Sequence, residues 1–520
     1  MKNKIIISVT LLFACIGFAG AQTASDIFNF SQMDYEGTAR TMAMGNAFTA
    51  LGGDLGALSI QPASSGVFGH SEMTFSPSFS YASSSTDYLD NHFYAKNSEF
   101  NISNFAALFH NENSNLNFAI GVNRIRDFNS AISAHGSTNQ SSWLASQAVG
   151  LSGYDVSNLT STSHDPYDDG VSWGAIAAWD AYLLSTLPGF NNEYIGSTEN
   201  IDGNNLSIGG VLDQDFYQQT YGGITEVEFN IGGNLNDVFY WGANLNIQDL
   251  DYNIYQTYSE TAQNVSDFQD GFDSFTKEYD QTTSGTGFNL KAGFIYRPTD
   301  ALRIGAALQT PTFYTMNDKY ILYMKSSFYN SDGDNLRYGY DGDISSPLGT
   351  YDYRMTTPFR FNLGIAYTFG SYALLSADYE LVDYSQMKAG VSDDGSADSY
   401  DISYFDDLND EIKSDYGTIH ELRVGGELKT SSILSLRAGY QTYLYGSDSG
   451  TESFLKLLSF GAGLNLSKGL YFDFAYQSKL NTASSDTFTL YNDYDGISAP
   501  EGKITRNGKN KLIFTLGLRF

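Results

Sequence analysis

Hydrophobic and polar residues alternate singly over long stretches of the chain, most plainly towards its C-terminus. In Leu512–Phe520, residues Leu512, Phe514, Leu516, Leu518 and Phe520 fall on one face, with Ile513, Thr515, Gly517 and Arg519 on the other. Phe288, Leu290, Ala292, Phe294 and Tyr296 stand opposite Asn289, Lys291 and Arg297. Leu422, Val424 and Leu428 oppose Glu421, Arg423, Glu427 and Lys429, and Leu434, Leu436, Ala438 and Tyr440 oppose Ser435, Arg437 and Gln441. Successive side chains of a strand point to opposite faces, so a period of two predicts half-buried strands. Runs at 227–235, 238–248, 302–309, 361–369, 373–381, 458–466 and 470–477 behave alike, with weaker ones at 72–81, 99–110 and 116–133. The total is about fourteen strands, within the range of single-chain bacterial barrels.

The polar face carries Lys, Arg, Glu and Asn even in strands that must be central. In a soluble sandwich the apolar face would meet a second sheet. In a membrane barrel it meets lipid, and the polar face lines the lumen. Many runs are about 9–11 residues long, the length a tilted membrane strand needs. Short links such as Arg297–Ala301 and Thr430–Ile433 alternate with long acidic ones, and Tyr and Phe flank the apolar bands. The expectation is an all-β fold: an antiparallel transmembrane β-barrel, with a soluble sandwich as the lesser alternative. Two regions lack the period. One is Thr23–Phe68. The other is 134–224, where Trp173–Leu187 reads as a helix whose broad face carries Trp173, Ile176, Trp179, Leu183, Leu184 and Leu187.

Composition sharpens this picture. The 520 residues include 51 Gly, 38 Tyr and 36 Phe but only 9 Pro. A mean hydropathy of -0.27 suits strands that average apolar with polar faces. The net charge of -31 makes nucleic acid a poor partner. The acid is concentrated in Asp267–Asp280, Asp332–Asp343 and Asp393–Asp415, which read as solvated loops. Asp332-Gly-Asp-Asn335 does not complete an EF-hand loop. The single cysteine, Cys15, lies in an apolar leader. Lys2 and Lys4 precede that leader, and Ala19-Gly20-Ala21 offers a cleavage site, giving a signal peptide over 1–21 and Gln22 as the mature start. A lipobox-like Leu12-Phe13-Ala14-Cys15 is the weaker pattern, because the apolar run continues past Cys15. No metal-ligand spacing, cofactor motif or catalytic constellation is present, so no enzyme activity is expected.

The run Gly37-Thr-Ala-Arg-Thr-Met-Ala-Met-Gly-Asn-Ala-Phe-Thr-Ala, followed by Asp54 and Gln61-Pro62-Ala63, resembles the plug of FadL-type outer-membrane transporters. That family includes long-chain fatty acid and toluene transporters, and some relatives are described as hemin receptors. Thr357-Pro358-Phe359-Arg360 through Tyr367, Leu375–Tyr379, Leu436–Tyr440 and the terminal Phe520 resemble its strands. The resemblance implies an N-terminal plug over 22–68, carried by Arg40, Gly45, Phe48, Asp54, Gln61, Pro62 and Ala63. A barrel over 69–520 would come next, with an extracellular insertion at 134–224 and Phe520 as the signal for the barrel assembly machinery. Gln61 stands where the family usually has Asn, which keeps the amide but not the short Asx-type bond.

The resemblance also carries an expectation of function. The chain would be a monomer in the Gram-negative outer membrane, surrounded by its lipid, and would take up hydrophobic small molecules passively. An apolar patch above the membrane captures such solutes by burying apolar area, at ~25 cal/mol per Å2. Trp143, Trp173, Ile176, Trp179, Leu183 and Leu187 are the candidates for capture. Sideways exit needs a gap in strand pairing, and Pro77 is the place to look. Arg40 pairs most naturally with Asp54; a ligand carboxylate would need a cation, for which Arg40, Lys291, Arg303, Arg423 and Arg437 are the lumen candidates, and the sequence does not choose among them. The alternative is a surface receptor or adhesion protein using the barrel only as an anchor. If it bound heme, His135 or His164 would be the axial ligand.

Overall fold

The computed structural model describes residues 11–12 and 22–520, apart from 112–113, 160–170, 204, 330–341, 394–396, 446–453, 467–468 and 481–484. From Glu72 onward the backbone alternates faces as the period of two requires. The strands are β1 (Glu72–Tyr88), β2 (Asn91–Asn111), β3 (Leu116–Asp127), β4 (Ser130–Thr138), β5 (Leu212–Leu235), β6 (Phe239–Ala262) and β7 (Phe272–Tyr296). They continue as β8 (Leu302–Gln309), β9 (Phe313–Phe328), β10 (Gly349–Thr356), β11 (Arg360–Phe369), β12 (Ala373–Asp383) and β13 (Lys388–Val391). The last are β14 (Thr418–Lys429), β15 (Leu434–Tyr445), β16 (Phe454–Asn465), β17 (Leu470–Leu480), β18 (Ser485–Thr489) and β19 (Glu501–Arg519). Some are halves of one broken stave: β3 with β4, β8 with β9, β10 with β11, β12 with β13, and β17 with β18. The resulting fourteen antiparallel staves close where β19 pairs with β1, Arg519 opposite Glu72.

This one closed sheet is inside out. Leu290 is 54% exposed and its neighbour Lys291 only 3%. Phe229, Leu245 and Ile247 face outward, while Asn230, Asn244, Asn246 and Asn289 are buried. A greasy exterior over a polar interior is stable only where lipid replaces water. No helix among the described residues is long and apolar enough to span a membrane, and closed strands are the other structure that can.

The two ends differ. At one, turns such as 236–238 and 370–372 are short, and Phe520 exchanges backbone hydrogen bonds with Ser71 (3.0 and 3.2 Å). Helix-bearing connections, 139–211 and 392–417, lie at the other. Staves β5, β6 and β7, with 24, 24 and 25 residues, rise far beyond the expected length on this side, whereas β14 and β15 have 12.

Several expectations need correction. Strands β9 and β10 escaped the pattern, because Asn317-Asp318-Lys319 interrupts the period in β9. The stretch Asp393–Asp415 is largely a helix, Ser399–Asp415, opened by a capping box of Asp398 with Asp401. Flanking strands reach into 134–224, to Thr138 and from Leu212. Within it the helix Trp173–Asp180 stops well before Leu187. Tyr182 takes a left-handed φ of 61°, and Leu184–Thr186 is a strand. Asp332–Asn335 lies outside the described residues.

The N-terminal residues lie against the inner face of the wall, from Ala24–Ser31 beside the 392–417 connection down to 55–67 towards the short-turn end. Helix α1 (Ala24–Ser31) and helix α2 (Ala39–Ala43) are followed by 3-10 turns at Leu55–Ala57 and Pro62–Val67. Backbone meets backbone at wall glycines: a Cβ on Gly242 would collide with the Pro62 carbonyl, and one on Gly439 with the Gly45 nitrogen. Gly242→Val should therefore lower the barrel's stability by about 1–3 kcal/mol through overpacking. Thermal unfolding in detergent, followed by circular dichroism, measures this; an unchanged midpoint would refute the close contact.

Candidate functional site

Thr38 caps α2 with a capping box to Thr41. Ala39 N, freed at this helix start, donates to Thr515 Oγ1 of β19 (2.8 Å). Arg40 reaches Glu427 of β14 (3.0 Å), the Gly53 carbonyl (3.2 Å) and, at 3.7 Å, Asp54. It also lies over the ring of the buried Phe48. The expected Arg40–Asp54 pair is thus present, with Glu427 the closer partner. Asp54 Oδ1 accepts from Thr38 Oγ1 (2.7 Å) and Gly56 N (3.0 Å). Burial pushes its carboxyl up to about 6 despite the Arg40 charge. Gly45 takes a left-handed φ of 60°.

Gln61 caps after all. Its Oε1 accepts from Ala63 N (3.2 Å), with Pro62 and the buried Ala63 opening the turn behind it. The longer side chain also lets Nε2 donate to the carbonyls of Thr49 (2.7 Å) and of Ala306 in β8 (3.1 Å).

The wall breaks between β2 and the stave formed by β3 and β4. The ladder joins Asn104–Asn111 to Leu116–Asn123 and stops there. Ile125 is an extra residue: Thr225 of β5 faces Arg124, while Ile224 faces Arg126. Strand β4 then pairs only with β5 and leans across the inner face of β1, where Ser84 Oγ donates to the Ala131 carbonyl (2.5 Å). The carbonyls released at the bulge find partners in the N-terminal segment. Asp34 N donates to Ile125 O (2.6 Å) and Glu36 N to Arg124 O (3.1 Å). Glu36 also ties in Ser103 of β2 (2.6 Å) and Lys511 of β19 (2.6 Å). Pro77 sits at a bulge of its own, where the β1–β2 register shifts, one boundary away from this break.

Beside the break lies a cavity of about 100 Å3, lined by Asp34, Arg126, Arg360, Glu380, Glu421 and Lys479 among others. Arg126 binds Asp34 (2.7 Å) and the side chains of Asn29 (2.6 Å) and Gln32 (2.8 Å). Arg360 binds Glu380 (2.8 Å) and the Ser31 carbonyl (2.5 Å), capping the C-terminal end of α1. Burial would raise the pKa of Asp34, but the charges of Arg126, Lys511, Lys479 and Lys509 hold it at about 2. Lys479 makes no ion pair among the described residues.

The cations expected to await a ligand are instead engaged. Lys291 pairs with Glu226 (2.5 Å), and Arg437 with Glu427 and Asp473 (2.7 Å each). Arg423 is held by Glu380 and Glu421, and Arg303 donates to the Leu51 carbonyl (2.6 Å). Sequence reasoning missed Arg126, Arg360 and Lys479 as a set, because only the fold brings β3, β11 and β17 to one cavity.

At the long-loop end, helices α3 (Trp143–Gly150) and α4 (Trp173–Asp180) form a cap with its own apolar core. Trp143, Ile176 and Leu183 are buried in it, so they do not form an exposed patch. Trp173, Trp179 and Leu187 are half-buried. Glu260 of β6 welds the cap on, accepting from Trp143 N (2.8 Å), Ser142 Oγ (2.5 Å) and Tyr258 OH (2.6 Å). His135 meets Asp215 (2.5 Å) at the surface, and His164 lies outside the described residues.

No family model and no curated protein matches the chain by sequence. Solved structures do match in three dimensions. A FadL homologue of Pseudomonas aeruginosa superposes with a TM-score of 0.54 at 12% identity, covering 94% of this chain and 100% of its own. The toluene transporter TodX of Pseudomonas putida gives 0.52 at 12% identity, over 94% of this chain and 99% of its own. At such identities the likeness speaks for architecture, and the chain has the fold of the FadL-type outer-membrane transporters.

Proposed function

We propose that the protein is a passive outer-membrane channel for hydrophobic small molecules such as long-chain fatty acids. The loops and cap face outward, the N-terminal segment acts as the plug, and the ligand leaves sideways into the membrane. The observation that carries this reading is the break between β2 and the β3–β4 stave, next to a cavity at mid-barrel. An intact barrel offers a greasy solute no path from lumen to lipid. A stave that leaves the wall offers one, and its open backbone need not face hydrocarbon while the plug pairs with it.

The cavity fits an amphiphile better than a bare hydrocarbon. Its other two cations are committed to the plug and to Glu380, and Lys479 is left for a carboxylate. On the outer side, the half-buried Trp173, Trp179 and Leu187 remain the candidates for first contact. The solved relatives of this fold bear names of FadL and toluene transport, which supports a channel for apolar solutes.

Deleting Ile125 removes the bulge and lets β3 resume its ladder with β2. Uptake of a fluorescent fatty acid into proteoliposomes should fall to background while binding in detergent persists; undiminished uptake would place the exit elsewhere. Lys479→Ala should weaken binding of a C16 carboxylate about tenfold or more, as expected on losing a charge-assisted hydrogen bond. Binding of its methyl ester should not change. Native mass spectrometry of both complexes reads the difference, and equal losses would remove Lys479 from the site.

A further inference from the structure

The wall is interrupted a second time, where the rim is low. Strands β12 and β14 pair up to Asp383 opposite Thr418, and Tyr384 N still donates to Gly417 O (3.0 Å). Beyond that point the stave turns at Tyr384–Gln386 and continues as β13, which pairs only with β10. The helix Ser399–Asp415, here α5, stands in the resulting notch and runs directly into β14.

Its seat is made of side chains. Phe405, Leu408 and Ile412, spaced to share one helix face, are buried. Phe405 stacks on Tyr351 and Tyr353 of β10. Asn409 stands in for a missing strand: its Nδ2 donates to the Ala389 carbonyl (2.9 Å) and its Oδ1 accepts from Ala389 N (3.0 Å). Tyr404 OH donates to the Gln22 carbonyl (2.6 Å), and Phe28 stacks on Tyr416. Among the described residues no ion pair joins α5 to the wall; Lys413 pairs with Asp410 on the same helix. The outward face, with Asp406, Asp407, Asp410 and Glu411, is exposed. Both α5 and the cap sit on apolar clusters, but the cap is tied down in addition by the buried carboxylate of Glu260, which accepts from Trp143 N and Ser142 Oγ.

Directly below the notch, Val382 and Ile419, the pair next to the last, line the cavity beside Lys479. The geometry points to α5 as a door: it swings out of the notch, pivoting near Gly417, and opens the cavity to the outer solvent from the side, while the cap stays closed. Ligand then enters the barrel through its low rim rather than through the cap. This rests on the reading of the lumen as a passage, but the door itself is tested by access to the cavity and not by transport.

A cysteine placed by Val382→Cys reports that access. Its labelling by a membrane-impermeant maleimide, added outside in proteoliposomes, should quicken about tenfold when Asn409→Ala and Phe405→Ala loosen the seat. Amide exchange of the wild-type protein gives a second reading that needs no variant. The amides of α5 should exchange together, at least about tenfold faster than those of β14. Labelling at an unchanged rate, or an α5 as protected as β14, would overturn the door. Failure of fatty acid uptake alone would overturn the channel reading and leave the door standing.

Discussion

Everything inside this barrel depends on satisfying polar groups that point inward. A closed sheet in lipid must turn its apolar side chains out, so Asn, Gln, Glu, Lys and Arg are left facing one another across a lumen too narrow for bulk water to solvate them all. A buried charge without a partner costs several kcal/mol. The N-terminal segment answers this need. Its carbonyls receive Asn117, Asn230, Asn244 and Lys291 from the wall, and its carboxylates receive Lys511 and Arg126. The segment carries small apolar clusters of its own, such as Met44, Phe48, Ala50, Leu51 and Ala57, and hydrogen bonds to the wall, made reachable by close approach at wall glycines, fix it in place.

The break in the wall obeys the same constraint. A stave can leave the sheet only if the backbone groups it abandons find other partners. At the Ile125 bulge those partners are Asp34 N and Glu36 N. The segment that fills the lumen is therefore also what makes the opening tolerable. Residues 34–36 and the break are held by the same two hydrogen bonds.

The sequence made the barrel legible wherever the period of two was clean, as in Phe288–Tyr296 and Leu512–Phe520. It failed where function or length intruded. In β9 the residues Asn317-Asp318-Lys319 put charge on both faces in a part of the stave that rises towards the long-loop end. Around α5 the helical spacing of Phe405, Leu408 and Ile412 was hidden by a run of aspartates. The N-terminal motif was readable as a group, and Arg40 does meet Asp54, yet its chief partner Glu427 lies hundreds of residues away. No local pattern could link Arg126, Arg360 and Lys479. Nor could one show that Trp143 and Ile176 face inward, because apolar residues on a short helix look alike whether they build a core or a surface.

The hydrogen bond from Ala39 N to Thr515 bears on how the molecule is made. It joins residues 476 apart, and Thr515 lies on β19, the strand that meets β1 to close the ring. Until that seam shuts, the interior polar groups have water; afterwards, only one another. A chain that closed first would have to thread some forty residues into a sealed and glycine-tight tube. The seam between β1 and β19 thus does double duty: the contact that closes the vessel is also one that holds its contents.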